Sequence, residues 1–90
     1  MVVLYTMASS HSHARIGVSA GRTVGNAIHR NRAKRLLREA MRPLLDQVVP
    51  GVDVLLVARV SLSTSSAAQI QEAILGLFRR AGLLVLSNDA

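Results

Sequence analysis

The chain has 90 residues, 50% of them hydrophobic, no cysteine and a formal net charge of +6. That length fits one domain over residues 1–90, near the size at which a single core is marginal. Disulfides and thiolate metal sites are excluded, and the charge favours an acidic partner. Only Tyr5 and Phe78 are aromatic, so the core is expected to be aliphatic.

In chain order, Val2 to Met7 reads as a strand, with Val, Tyr and Thr suited to a pleated surface. Ala8 to Ala14 is a polar loop expected to join two antiparallel strands. Its His11-x-His13 pair has a spacing that suits a metal, but no third ligand follows nearby, and metal sites generally need one. Arg15 to Ser19 is the second strand, and Ala20-Gly21 loosens the chain before Arg22.

From Arg22 to Arg42 the chain holds seven of its eleven basic residues: Arg22, Arg30, Arg32, Lys34, Arg35, Arg38 and Arg42. At about 100° per residue, Ala33, Leu37, Ala40, Met41, Leu44 and Val48 share one arc of a helix, with Leu36 at its edge. Asn31, Lys34, Arg35, Arg38 and Arg42 share the opposite arc, and Arg30 lies toward the apolar one. Asn26, after Gly25, is the expected N-cap. Pro43 removes a backbone bond and collides with the preceding turn, so a kink, or an end and restart, is expected there. Glu39 is positioned to support Arg35 and Arg42, but one acid does not balance seven bases. A solvated helix face usually mixes signs. A stripe of one sign calls for an anionic partner, and regularly spaced phosphates match forked guanidinium donors.

Val49-Pro50-Gly51 signals a turn. Val52 to Val60 is the most apolar strand, expected to be central and covered on both faces, with Asp53 at the sheet edge. Ser61 to Ser65 is a loop, and Ser66 with Gln69 reads as a capping box. The next helix is expected to bury Ile70, Ala73, Ile74, Leu77 and Ala81, with Arg79 and Arg80 in its last turn and Gly82 as C-cap. Leu83 to Leu86 is expected to pack back on the domain and Ser87 to Ala90 to fray. The apolar-rich stretch Val48 to Val60 is too short and interrupted to span a bilayer. Met1 leads straight into Val-Val-Leu-Tyr without the basic start of a secretion signal, so a cytoplasmic location is expected.

Gly25-Asn26-Ala27-Ile28-His29-Arg30-Asn31-Arg32-Ala33-Lys34-Arg35 resembles the signature helix of the bacterial ribonuclease P protein component. That signature runs Gly-Asn-Ala, a hydrophobic residue, a variable residue, Arg-Asn-Arg, a spacer and Lys-Arg, and every fixed position is present. Leu4-Tyr5-Thr6, Arg15 to Ser19, Val52 to Arg59 and Leu77 to Arg80 resemble further segments of the family. Where many members carry two lysines before the signature, this chain has Arg22 and Thr23. The family's helix before the first strand is missing from this sequence, which makes it N-terminally short.

The resemblance implies an α+β two-layer sandwich, β-β-α-β-α, shared with a ribosomal-protein domain. It also implies a left-handed crossover through the basic helix, where pattern alone favours the common right-handed one. The implied function is that of a protein subunit that binds a catalytic RNA and the 5′-leader of precursor tRNA and assists endonucleolytic removal of the leader. It implies no membrane or DNA partner. The RNA would carry the active site and its magnesium ions, and the protein alone would bind no cofactor. This matches a sequence in which His11, His13, His29, Asp46, Asp53 and Asp89 show no convergent spacing for cleaving a phosphodiester.

Carried over by position, Arg22, Arg30, Asn31, Arg32, Lys34, Arg35, Arg38 and Arg42 would contact RNA. Asn31 would also be able to brace an arginine. Tyr5 and Ser19 would line the leader groove, unless Tyr5 packs in the core. A general RNA-binding or ribosome-associated module would use the same stripe, but needs no such spacing from Gly25 to Arg38. An independent nuclease would need a protein active site.

Overall fold

Three strands and two α-helices form in the order β1 (Val2–Ala8), β2 (Arg15–Ala20), α1 (Ala27–Met41), β3 (Val52–Ala58) and α2 (Ala67–Ala81). The computed structural model describes residues 2–59, 62 and 65–85. Val60, most of the Ser61–Ser65 loop, Leu86, the expected fraying end Ser87–Ala90 and thus Asp89 lie outside the described residues.

The strand order is β1-β3-β2, with β1 antiparallel and β2 parallel to β3. β1 and β2 therefore run in opposite directions, as expected, but they are not neighbours. β3 lies between them, and the Ala8–Ala14 loop bridges its width. Because β2 and β3 are parallel, the chain joining them is a crossover, and that crossover carries α1.

Register sorts the side chains onto two faces. Leu4, Leu56 and Val18 lie in one row, and Thr6, Val54 and Ile16 in the next; this face meets the helices. Val54, Leu56 and Ala58 are buried there. The other face carries Tyr5, Leu55 and Gly17 in one row and Val3, Val57 and Ser19 in the next. α1 packs against β2 and β3, and α2 against β1 and α1. β3 is central but covered on one face, not both: Leu55 is 40% exposed. An apolar strand is ambiguous here, since full burial and burial on one side both tolerate Val and Leu.

α1 begins where Asn26 Oδ1 accepts the His29 backbone N–H at 3.1 Å. Nδ1 of His29 lies 2.8 Å from the same oxygen. A carboxamide oxygen only accepts, so this contact assigns the ring proton to Nδ1. Gly25 sits beneath. Its φ of 130° and ψ of −153° are open essentially to glycine alone, and an added Cβ would stand 3.2 Å from His29 Cβ. The helix ends at Met41, and Pro43 opens a 3-10 segment, Arg42–Gln47, the end and restart its geometry requires. Ala33, Leu37, Ala40, Met41, Leu44 and Val48 are buried, and Leu36 is half-buried against them. The predicted apolar arc is thus the packed one. Full burial of one such Leu contributes about 1.5–3 kcal/mol.

α2 starts with the expected capping box: Ser66 Oγ accepts the Gln69 N–H at 3.1 Å, and Gln69 Oε1 accepts the Ser66 N–H at 2.9 Å. It ends at Gly82, in the left-handed conformation. Its buried line is Ile70, Ile74 and Phe78; Ala73 and Leu77 are half-buried and Ala81 is exposed. The i, i+4, i+8 line faces the core shared with α1 and the sheet, and Phe78 takes the place assigned to Leu77 and Ala81, giving the aliphatic core one ring. Beyond α2, Leu83 is buried, Leu84 bridges to Val48, and the Val85 N–H donates to Gln47 O, so the tail does pack back.

Asp53 belongs to the central strand rather than the sheet edge. At the start of β3 it accepts two hydrogen bonds from Arg15, Nε to Oδ1 at 3.0 Å and Nη2 to Oδ2 at 2.5 Å. The Arg15 hydrogen bonds hold the Asp53 carboxyl below its ordinary 3.8, against a smaller opposing effect of burial. A lowered folded-state pKa stabilises the fold above pH 3.8, and that contribution is lost as pH falls through the folded value. Asp53→Asn is therefore expected to melt below the wild type at neutral pH, with the gap closing in acid; a gap that is constant with pH would contradict the ion pair. Gly25→Ala is expected to lose about 1–3 kcal/mol of stability in urea titration, from backbone strain. Adding His29→Ala should recover only the part due to the ring contact.

Candidate nucleic-acid interface

α1 presents its polar side away from the sheet because its small and aliphatic residues are held beneath it. Arg32, Arg35 and Arg38 are exposed on the helix, Arg22 just before it and Arg42 just after it. Asn31 is exposed among them, and its carboxamide makes no hydrogen bond within the described residues, so it braces no arginine. Arg30 and Lys34 are half-buried on the flank nearest the apolar arc, which fits the expectation for Arg30 and moves Lys34 off the outermost line. Ile28, Asn31, Arg32, Arg35 and Arg38 surround one shallow trough on the outward face.

Among the described residues the one ion pair is Arg15 to Asp53. None of the seven bases from Arg22 to Arg42 has a carboxylate of the described residues within salt-bridge distance. Glu39 supports neither Arg35 nor Arg42. It follows Arg35 by four residues, the weaker order for such a pair, and Arg42 already belongs to the 3-10 segment. The five exposed cations therefore face solvent, and no acid among the described residues offsets any of the seven. The same-sign charge raises the energy of the free chain and is relieved by a polyanion.

Tyr5 is 53% exposed and shares the uncovered sheet face with Ser19, so the core alternative for Tyr5 does not hold. This face and the arginine face are separate. One is the free side of the sheet, the other the free side of the helical layer. The predicted site residues thus form two surfaces rather than one.

Ile28, which the sequence marks only as the hydrophobic position of the signature, belongs to this face as well. It is 76% exposed. The signal was available in its spacing: it stands seven residues before Arg35, opposite Ala33 and Leu37. Arg79 and Arg80 sit in the last turn of α2, where cations offset the helix dipole. His11 is engaged by Ser9, whose Oγ lies 2.8 Å from Nδ1. Among the described residues no three His, Asp or Glu side chains converge, and no helix is long and apolar enough to cross a membrane.

Comparison with known proteins bears directly on this geometry. The family model described as Ribonuclease P matches residues 1–82. A ribonuclease P protein component from an Exiguobacterium species is 37% identical over 79 residues, covering 88% of this chain and 68% of that protein. One from Clostridioides difficile is 34% identical over 85 residues, covering 93% and 75%. Among solved structures, the RNase P protein of Staphylococcus aureus superposes with a TM-score of 0.79 at 27% identity, over 92% of this chain and 76% of that one. That of Thermotoga maritima gives 0.77 at 26% identity, over 88% and 76%. With its signature helix capped, buried beneath and cationic above, the chain belongs to the ribonuclease P protein family, the protein subunit of the ribonucleoprotein endoribonuclease that matures tRNA 5′ ends.

Proposed function

We propose that the outward face of α1 binds the catalytic RNA of ribonuclease P and that the uncovered sheet face receives the 5′-leader of precursor tRNA. The observation that carries the first part is the set of exposed guanidinium groups on one helical face without a carboxylate partner among the described residues. Arg32, Arg35 and Arg38 would pair with phosphates, Arg22 and Arg42 would extend the contact along the chain, and Arg30 and Lys34 would reach from the flank. Asn31 carries a free donor and acceptor for a base or ribose edge.

On the other surface, Tyr5 offers an exposed ring for stacking on an unpaired base, worth about 1–3 kcal/mol when made. Ser19 supplies a hydroxyl in the next row of the same face, on the far strand. Between them the face is floored by Leu55 and Val57 of β3, and Gly17 adds no side chain beside Leu55, which supports a shallow apolar floor for an unpaired strand.

The protein's part in the reaction is to hold and orient RNA. The magnesium ions and the cleavage chemistry belong, in this reading, to the RNA subunit, and the complex works in the cytoplasm, where tRNA precursors are processed.

Arg35→Glu with Arg38→Glu is expected to abolish binding to a bacterial ribonuclease P RNA while leaving the circular dichroism spectrum unchanged. Unaltered binding would remove the role of the helix face. For about five phosphate contacts, log affinity should fall against log salt with a slope of roughly −3.5 to −4.5. A slope near zero would mean the charges do not touch RNA. In reconstitution at low magnesium, the wild-type chain should accelerate precursor tRNA cleavage by that RNA and the doubly reversed variant should not.

A further inference from the structure

Ile28 is the most exposed of the large hydrophobic side chains described, at 76%. At about 100° per residue it points almost directly away from Ala33 and Leu37, at the centre of the outward face of α1. It serves no packing role in the fold. It does not cap the helix either, since Asn26 and His29 do that. Around it stand Asn31 and Arg32, one turn on, then Arg35 and Arg38, all bordering the same shallow trough. An isoleucine in the middle of solvated charge gains nothing in the free chain. Opposite a bound polyanion it becomes the one apolar contact in a ring of phosphate donors.

The geometry points to Ile28 as the seat of an unpaired nucleobase of the RNA partner. This rests on the reading of α1 as the RNA-binding face and adds what the arginines do not supply. Phosphate contacts position an RNA without distinguishing its sequence or its single-stranded segments. A base laid on an aliphatic floor must be unstacked, so an apolar seat selects for a loop, bulge or junction over a regular duplex. The ring of the base covers Ile28, its polar edge reaches the free carboxamide of Asn31, and its flanking phosphates meet Arg32 and Arg35. Occupancy by an RNA base rather than by a protein is favoured by charge, because the surrounding groups are cations without acids.

The test uses the full chain and a bacterial ribonuclease P RNA. Affinity is measured over a range of salt for the wild type, Ile28→Ala, Ile28→Met and Arg35→Ala. Removing the branched side chain should weaken binding about ten-fold through lost apolar contact, with thermal stability and salt slope unchanged. Ile28→Met should bind nearly as the wild type does. Arg35→Ala should instead flatten the slope by about 0.7–0.9, the share of one phosphate.

The chain has no tryptophan, so Ile28→Trp adds a single reporter. It should bind at least as tightly as the wild type, and its fluorescence should be quenched by RNA as it stacks. Ile28→Ala binding within two-fold of wild type, Ile28→Ala altering the salt slope, or an unquenched tryptophan in the complex would each overturn the base contact while leaving the arginine face in place. Failure of the wild type to bind the RNA would overturn both.

Discussion

The burial of Ala33 and Leu37 under α1 decides the orientation of everything that follows. Both are wholly shut from water, packed with Met41 against the sheet and α2. A helix that is apolar on one side only can dock in one rotation, and that rotation turns Arg32, Arg35 and Arg38 outward together. The caps hold its ends in register. Asn26 closes the first turn on His29, Gly25 gives the chain a conformation that other residues do not adopt, and Pro43 converts the last turn to 3-10 geometry before β3. The cationic face is therefore a consequence of the core beneath it.

The electrostatics follow from the same placement. The chain's acids are few, and the one with an ion-pair partner among the described residues, Asp53, is spent on Arg15 at the far end of the sheet. Long cationic side chains on adjacent turns repel one another, and water and salt screen that repulsion only in part. The cost is small enough for the fold to bear, and on the proposed contact with RNA it would be reversed as condensed counterions are released. A membrane surface would also attract such charge, but membership of the ribonuclease P protein family makes RNA the partner.

Much of this was legible in the sequence because it is local. A cap, a capping box, a helix-ending proline and a left-handed glycine each depend on residues within a turn of one another, and Asn26, Ser66 with Gln69, Pro43 and Gly82 behave as their chemistry dictates. The apolar arc of α1 was equally plain from its spacing. What depended on distant pairing was not. That β3 lies between β1 and β2, that Asp53 meets Arg15, and that β3 leaves Leu55 open are settled by tertiary register, which periodicity does not encode. That Phe78 rather than Ala81 is buried depends on how α2 docks, which spacing alone does not fix. Ile28 was hidden for another reason: an apolar residue inside a helix reads as core, and only its azimuth opposite Leu37 reveals that it faces water.

The claim at the centre is that one side of α1 lies against RNA while the other anchors it. Modification of arginine side chains with phenylglyoxal, read peptide by peptide in the free chain and in the complex with ribonuclease P RNA, addresses it directly. The account predicts that RNA protects Arg32, Arg35 and Arg38 and leaves Arg79 and Arg80, at the end of α2, as reactive as before. Equal reactivity of the α1 arginines in both states, or protection confined to Arg79 and Arg80, would contradict it.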